Sequence, residues 1–315
     1  MRCARYQGGG RIEIVTEPDP SLPPGGLLVR TEACGLCSGE LMDWYMDQKI
    51  PHVLGHEVAG IVLESEDVRF PVGSRVFPHH HAPCHSCEHC RAGNTVHCDQ
   101  WKRTKLIPGG MADLFAVPSE NLNDTILANE LRAIDAALIE PLACVAKSIS
   151  RSRLQQNERA VVIGLGVMGL MHAIITGADA IDFNPVRCEW AQRSGVKVVH
   201  SFEPDSFDIA FVCPGTSAAM ISAINAVRPG GRILLFSPFG PGDSGYPVNQ
   251  AYFKDIEVIP SYSCGPEDTA TASEWLRQGR IQAEQVVSDF VTLDQLPESY
   301  LAMKSGSILK SMVLF

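Results

Sequence analysis

Nowhere does the chain run through the roughly 18 consecutive apolar residues that cross a bilayer. Basic residues are in deficit as well: 26 Lys and Arg stand against 36 Asp and Glu, a formal charge of -10. That sign argues against nucleic acid or an anionic membrane as the main partner. The opening Met1-Arg2-Cys3-Ala4-Arg5-Tyr6 passes into glycine and charge without the apolar core of a secretory signal. No internal repeat or low-complexity segment follows. What is present is a 45% apolar composition with mean hydropathy near zero over 315 residues. It reads as a soluble, cytoplasmic globular protein of about two domains. Eleven cysteines are many for a reducing compartment, where stable disulfides are rare, and their spacing asks for a metal.

Residues 1 to about 142 hold short β-like runs punctuated by Gly and Pro, such as 11–15, 27–30 and 58–62, the texture of an irregular β-rich unit. From about 143 the texture changes. Apolar runs at 159–163, 207–212, 232–236 and 256–259 alternate with helical segments, which predicts a parallel sheet covered on both faces. A helix with acidic residues in its first turn is expected from Glu267 to near Gly279. The final run, Ser311 to Phe315, comes too late to extend that sheet.

Cys84, Cys87, Cys90 and Cys98 form C-x2-C-x2-C-x7-C in a polar stretch with little to bury. Three further cysteines at fixed offsets arise by chance with a frequency of about 0.0005, so coincidence is set aside. Four thiolates on a short lobe surround one Zn²⁺ tetrahedrally and close it, a structural site worth on the order of 10 kcal/mol to its lobe. The histidines nearby, His79, His80, His81, His85, His89 and His97, are expected as solvated surface groups, because the tetrahedron is already complete.

An apolar strand then runs into Gly164-Leu165-Gly166-Val167-Met168-Gly169 and on into helix-like residues. The first glycine permits a tight turn, the second lets backbone approach a pyrophosphate, and the third packs helix on strand. Asp182, 18 residues after Gly164, stands where a carboxylate bonds the adenosine ribose and repels a 2′-phosphate, favouring NAD over NADP. Three scattered pieces complete the inventory: Cys37, Gly55-His56-Glu57 and Glu140-Pro141-Leu142. A thiolate, an imidazole and a carboxylate from separate segments suit a zinc with one open position.

In this order, these residues strongly resemble the zinc-dependent medium-chain alcohol and polyol dehydrogenases over essentially the whole chain, on the sorbitol, threonine and galactitol-phosphate dehydrogenase side. The resemblance implies an α/β protein in which a GroES-like β-rich catalytic domain (1–142 and 265–315) carries an inserted Rossmann doubly wound parallel sheet (143–264). The final strand would rejoin the first domain. It implies Cys37 and His56 as catalytic zinc ligands, with Glu57 and Glu140 as third ligand or exchangeable partner, Glu57 being able to sit behind His56 instead. It places Trp44 and Tyr45 near the substrate, core packing being the other reading, and Lys310 at the cofactor phosphates. It implies hydride transfer between a secondary alcohol (a polyol, sugar or relative) and NAD, two zincs (one catalytic, one structural), and a homodimer or homotetramer.

Two departures stand out. Gly39 and Met42 occupy the positions of the usual proton relay, leaving Ser38, or Glu57 through water, as substitutes. Only twelve residues, Leu170 to Ile181, are left for a helix, a turn and a strand, fewer than such elements ordinarily take. They motivate an alternative, a non-catalytic zinc-binding, nucleotide-sensing or interaction protein on the same fold. A zinc-free NADPH-linked carbonyl or quinone reductase is a third reading, against which Cys37, His56 and Glu140 together argue.

Overall fold

The computed structural model describes residues 1–243 and 245–315. They divide into two compact units, Met1–Ala143 with Cys264–Phe315, and Cys144–Ser263.

Unit 1 opens with β1 (Arg2–Tyr6) and β2 (Ile12–Thr16), an antiparallel pair. Its main sheet is built on β3 (Leu27–Gly35), while the short β4 (His52–Val53) pairs with β1. Next to β3 run β5 (Glu57–Ser65), then β6 (Arg75–Pro78), with β7 (Leu114–Val117) on the other part of β3 and β8 (Thr125–Leu127) beyond β6. The inward side chains of β3 and β5, Leu27, Val29, Val58 and Val62 among them, meet Phe115, Leu36 and Tyr300 in one apolar core. The helix α1 (Ile139–Ser152) carries Glu140 in its first turn.

Unit 2 is a five-stranded parallel sheet. Its members are β9 (Ala160–Ile163), β10 (Asp179–Ile181), β11 (Phe207–Val212), β12 (Val227–Leu235) and β13 (Glu257–Pro260), in the order β10-β9-β11-β12-β13. Every side chain of β9 is buried, as a strand covered on both faces requires. The helices α2 (Val167–Thr176), α3 (Pro185–Arg193) and α4 (Ser217–Ala226) form the crossovers, and α5 (Val248–Phe253) precedes β13.

The crowded segment 170–181 is accommodated in two ways. Helix α2 begins at Val167, inside the glycine motif, and ends at Gly177, which adopts the left-handed conformation (φ 69°). Strand β10 is only three residues long, and the next parallel strand survives as a single bridge, Ala180 to Val198. The half-fold is therefore pruned at its outer edge, not broken at the glycine turn.

The chain returns to unit 1 at Cys264, whose thiol lies against His79 of that unit. Helix α6 (Pro266–Arg277) follows, then β14 (Asp289–Val291) and β15 (Ser311–Leu314). The last strand joins the unit 1 sheet, antiparallel to β3 and parallel to β14, giving the order β14-β15-β3-β5-β6-β8. All eleven cysteines are unpaired by disulfides, and among the described residues no helix is long and apolar enough to cross a membrane.

Candidate functional site

The four-cysteine lobe is drawn together by its own backbone. The Cys84 sulfur accepts from the amides of Ser86 (3.5 Å) and Cys87 (3.3 Å), and the Cys98 sulfur from the amide of Cys84 (3.4 Å). The Ser86 hydroxyl and amide, with the Cys87 amide, hold the Cys84 thiol down at about 5. Cys84 and Cys90 sulfurs lie 4.0 Å apart and those of Cys87 and Cys90 3.5 Å apart. A tetrahedral zinc with bonds of about 2.3 Å separates its sulfurs by about 3.8 Å, so the donors fit the ion. Around them Val96, Cys98 and Trp101 make a small buried apolar cluster, with Cys84, Cys87 and Cys90 packed against it.

A second set of donors forms where β3 ends and β5 begins. Cys37 caps the short 3-10 turn Ser38–Leu41, and its sulfur accepts from the Gly39 amide at 3.3 Å. His56 immediately precedes β5, after Gly55, whose φ of 95° and close approach to Met111 and Cys34 require the absence of a Cβ. Glu57 is the first residue of β5, opposite Gly35 of β3. Donor atoms of Cys37, His56 and Glu57 all lie within 4.8 Å of one another.

Behind them stands Glu40, which sequence reasoning passed over. It is 3% exposed; Oε1 accepts from the Gly55 amide at 2.8 Å and Oε2 from the Cys37 amide at 3.1 Å. The same Oε1 meets His56 Nδ1 at 3.4 Å, which leaves Nε2 for an ion. Burial opposes ionisation, but His56 and the two amides hold the Glu40 carboxyl down at about 2. The readable signal was the spacing Cys37-x-x-Glu40, a capping box in which the carboxylate reaches back to the amide of the cap.

Lys310 is placed differently from the expectation of a phosphate contact. Its side chain is 1% exposed, ion-paired with Glu57 and donating to the Leu36 carbonyl at 3.0 Å. Strand order explains this: β15, β3 and β5 are neighbours, so the residue before β15 projects towards the start of β5, across Gly35, where a Cβ would collide with Glu57. Burial pulls the Lys310 pKa down, yet Glu57 and Cys37 raise it on balance, and the ammonium stays charged.

The Glu140 carboxylate groups with His79 and Cys264, all three buried. Burial pushes the Glu140 carboxyl up, with His56 and His79 acting against it and Glu57 in support, so it stands within electrostatic reach of both sets.

The three successive histidines are not a solvated run. Strand β6 carries Phe77 and Pro78 into the core, and His79 continues inward to Asp124. His81 lies tilted over Trp101 with ring centroids 4.0 Å apart, and His80 sits between it and His56, 4.0 and 4.8 Å from them. Burial keeps His80 and His81 neutral, His81 at about 3. His85, His89 and His97 are exposed. Trp44 and Tyr45, each 40% exposed on the short helix Asp43–Met46, are surface groups; the buried member there is Met46. Ser38 is half-buried beside Cys37.

In unit 2 each glycine of the motif shows its own requirement. Gly164 has φ 91° and abuts Pro214, and a Cβ on Gly169 would lie 1.7 Å from the Gly164 carbonyl. A Cβ on Gly166 would meet nothing within 4 Å, so space lies open at the N-terminus of α2, before the amides of Val167 and Met168. That open cradle fits a pyrophosphate. Asp182 is turned to the same loop, accepting from the Leu165 amide at 2.6 Å and the Asn184 amide at 2.7 Å.

Residues 23–125 match the alcohol dehydrogenase GroES-like domain. The chain is 24% identical to a probable D-xylulose reductase A of Aspergillus terreus, covering 98% of this chain and 96% of that protein. It is 26% identical to a sorbitol dehydrogenase of Bacillus subtilis, covering 95% and 92%. The solved galactitol-1-phosphate dehydrogenase of Escherichia coli superposes with a TM-score of 0.87 over 100% of both chains at 17% identity. Over nearly its whole length the chain is thus similar to proteins named as polyol reductases and dehydrogenases, and its fold is that of the solved dehydrogenase.

Proposed function

We propose that this chain is a zinc-containing, NAD-dependent dehydrogenase that moves a hydride between a secondary alcohol of the polyol class and the nicotinamide. The convergence of Cys37, His56 and Glu57 within 4.8 Å, in the part of the chain that matches the GroES-like domain, carries this reading. Zinc held there supplies a Lewis acid that brings a substrate hydroxyl's pKa towards neutrality, and NAD supplies the hydride acceptor. Cys37 and His56 hold the ion. Glu40 fixes the His56 tautomer by occupying Nδ1. Glu57 would be the third donor, one of its oxygens being tied to Lys310. Ser38, next to Cys37, takes the alcohol's proton towards solvent in place of the missing relay, and Trp44 and Tyr45 wall the substrate. Gly166, with the amides of Val167 and Met168, receives the pyrophosphate, and the position of Asp182 beside that loop favours NAD over NADP.

The non-catalytic alternative is not favoured, because the relatives are named as polyol reductases and dehydrogenases and the short 170–181 segment still closes the glycine turn. Cysteines without disulfides suit the reducing cytoplasm. Val248, Tyr252 and Phe253 of α5 are strongly exposed, and a second copy covering them accords with the dimer or tetramer that the resemblance implies.

The deciding experiment incubates zinc-loaded protein with NAD or NADP and a panel of polyols and other secondary alcohols, and follows formation of the reduced cofactor; light scattering on the same preparation reads the oligomer. At least one polyol is expected to reduce NAD in preference to NADP. Cys37→Ser should lose one zinc and lower kcat on the order of 10³-fold, the several kcal/mol that a Lewis acid contributes. Zinc-loaded protein that binds NAD and reduces none of it with the whole panel overturns the reading.

A further inference from the structure

His79 and Cys264 have no part in the dehydrogenase chemistry above, yet they are buried and meet with chemical purpose. The Cys264 sulfur lies 3.6 Å from His79 Nε2. The other ring nitrogen, Nδ1, is held by the Asp124 carboxylate at 2.6 Å. Asp124 is fixed in turn by the Thr269 hydroxyl, which donates to its other oxygen at 2.6 Å. The Glu140 carboxylate completes a group whose donor atoms all lie within 4.8 Å.

The build is the same as at Cys37: a thiol, an imidazole whose Nδ1 is taken by a buried carboxylate, and a glutamate. A carboxylate on the far nitrogen is the usual way a metal-bound histidine is oriented and made more basic. The sulfur-to-nitrogen separation agrees. With zinc–sulfur and zinc–nitrogen bonds of about 2.3 and 2.0 Å, a tetrahedral ion sets its sulfur and nitrogen about 3.5 Å apart. The four elements that supply the group are far apart in sequence. His79 follows β6, Asp124 ends the turn before β8, Glu140 opens α1, and Cys264 and Thr269 flank the start of α6. An ion held among them would clasp the returning chain to the body of unit 1.

We propose that His79 Nε2, the Glu140 carboxylate and Cys264 Sγ form a second buried site in this unit for a divalent d-block ion of the zinc class. The mixed sulfur, nitrogen and oxygen donor set selects such an ion over calcium or magnesium, which take oxygen ligands. The site adds to the four-cysteine lobe and to the Cys37 group, and it stands whether or not the Cys37 group turns over an alcohol.

The test counts ions on the intact chain by native mass spectrometry after saturation with zinc and removal of the excess. Three per wild-type chain are expected, with two in Cys264→Ser, two in His79→Gln, two in Cys37→Ser and one in the Cys37→Ser/Cys264→Ser double variant. Cobalt in place of zinc gives a second readout, since Cys264→Ser should remove its share of the thiolate-to-cobalt charge-transfer band. Asp124→Asn should keep the third ion but weaken it by about 10–100-fold. A wild-type chain that saturates at two ions, both unaffected by Cys264→Ser and His79→Gln, overturns the second site; that count needs no variant that folds poorly. Loss of an ion in Cys264→Ser with none lost in Cys37→Ser would sink the Cys37 site and keep this one.

Discussion

Glu40 uses two oxygens for three contacts, and each contact settles something about the site. The bond from the Cys37 amide fixes the turn that presents the thiol, the bond from the Gly55 amide fixes the loop before His56, and the contact with Nδ1 chooses which imidazole nitrogen is left over. An amide does not replace a carboxylate there, because its NH₂ would face at least one of these three N–H donors. Glu40→Gln should therefore leave the number of bound zincs unchanged at saturation but lower the affinity at Cys37–His56 by about 10–100-fold, read by competition with a chromophoric chelator. Equal affinity in the variant would show that Glu40 only shapes the turn. Reading the sequence finds Cys37 and His56 by residue type and misses Glu40, since a lone glutamate in Cys-Ser-Gly-Glu looks like a solvated turn residue. What identifies it is burial at the bottom of a loop whose other half arrives 15 residues later.

The strand–turn–helix around Gly164 shows how two glycines six residues or fewer apart are needed for opposite reasons. Gly169 is a packing position: any Cβ strikes the Gly164 carbonyl, so Gly169→Ala must move backbone and should lower unit 2 stability by several kcal/mol. Gly166 is a binding position: an added methyl points into open space, where the cofactor pyrophosphate is proposed to lie. Gly166→Ala should change stability by no more than about 0.5 kcal/mol while weakening NAD at least tenfold, measured by thermal unfolding and by calorimetric titration of NAD. Unimpaired NAD binding by Gly166→Ala would move the cofactor off this loop. At this scale the sequence is informative where one element holds the whole signal. The glycine turn, the four-cysteine lobe and the buried apolar runs of β9 and β11 are all local. The outer edge of the sheet is not local: β10 is three residues long and its neighbour a single bridge, Ala180 to Val198, contributed from beyond α3. Polarity also misleads at His79-His80-His81, whose partners Asp124, Trp101, Cys264 and His56 lie elsewhere in the chain.

Across the whole molecule, the candidate zinc donors and the proposed cofactor turn fall in different units. Every candidate zinc donor, Cys37, His56, Glu57, His79, Cys84, Cys87, Cys90, Cys98, Glu140 and Cys264, belongs to unit 1, and the glycine turn with Asp182 belongs to unit 2. Unit 1 is also the discontinuous one, so its last strand and Lys310 can reach Glu57 only after all of unit 2 has been threaded between. Residue-resolved hydrogen exchange separates the two roles. Stripping zinc with a chelator should remove protection from residues 84–103, where on the order of 10 kcal/mol of metal binding replaces an apolar core. It should leave β9, β11 and β12 unchanged. Adding NAD at about 100 times its Kd should slow exchange in 164–170 and around Asp182 by up to about 100-fold, the 2.7 kcal/mol that such an excess supplies. Exchange in β9 and β11 that accelerated on chelation as much as in 84–103 would mean that the zinc sites stabilise the entire chain as one cooperative body, and the division of roles between the units would fail.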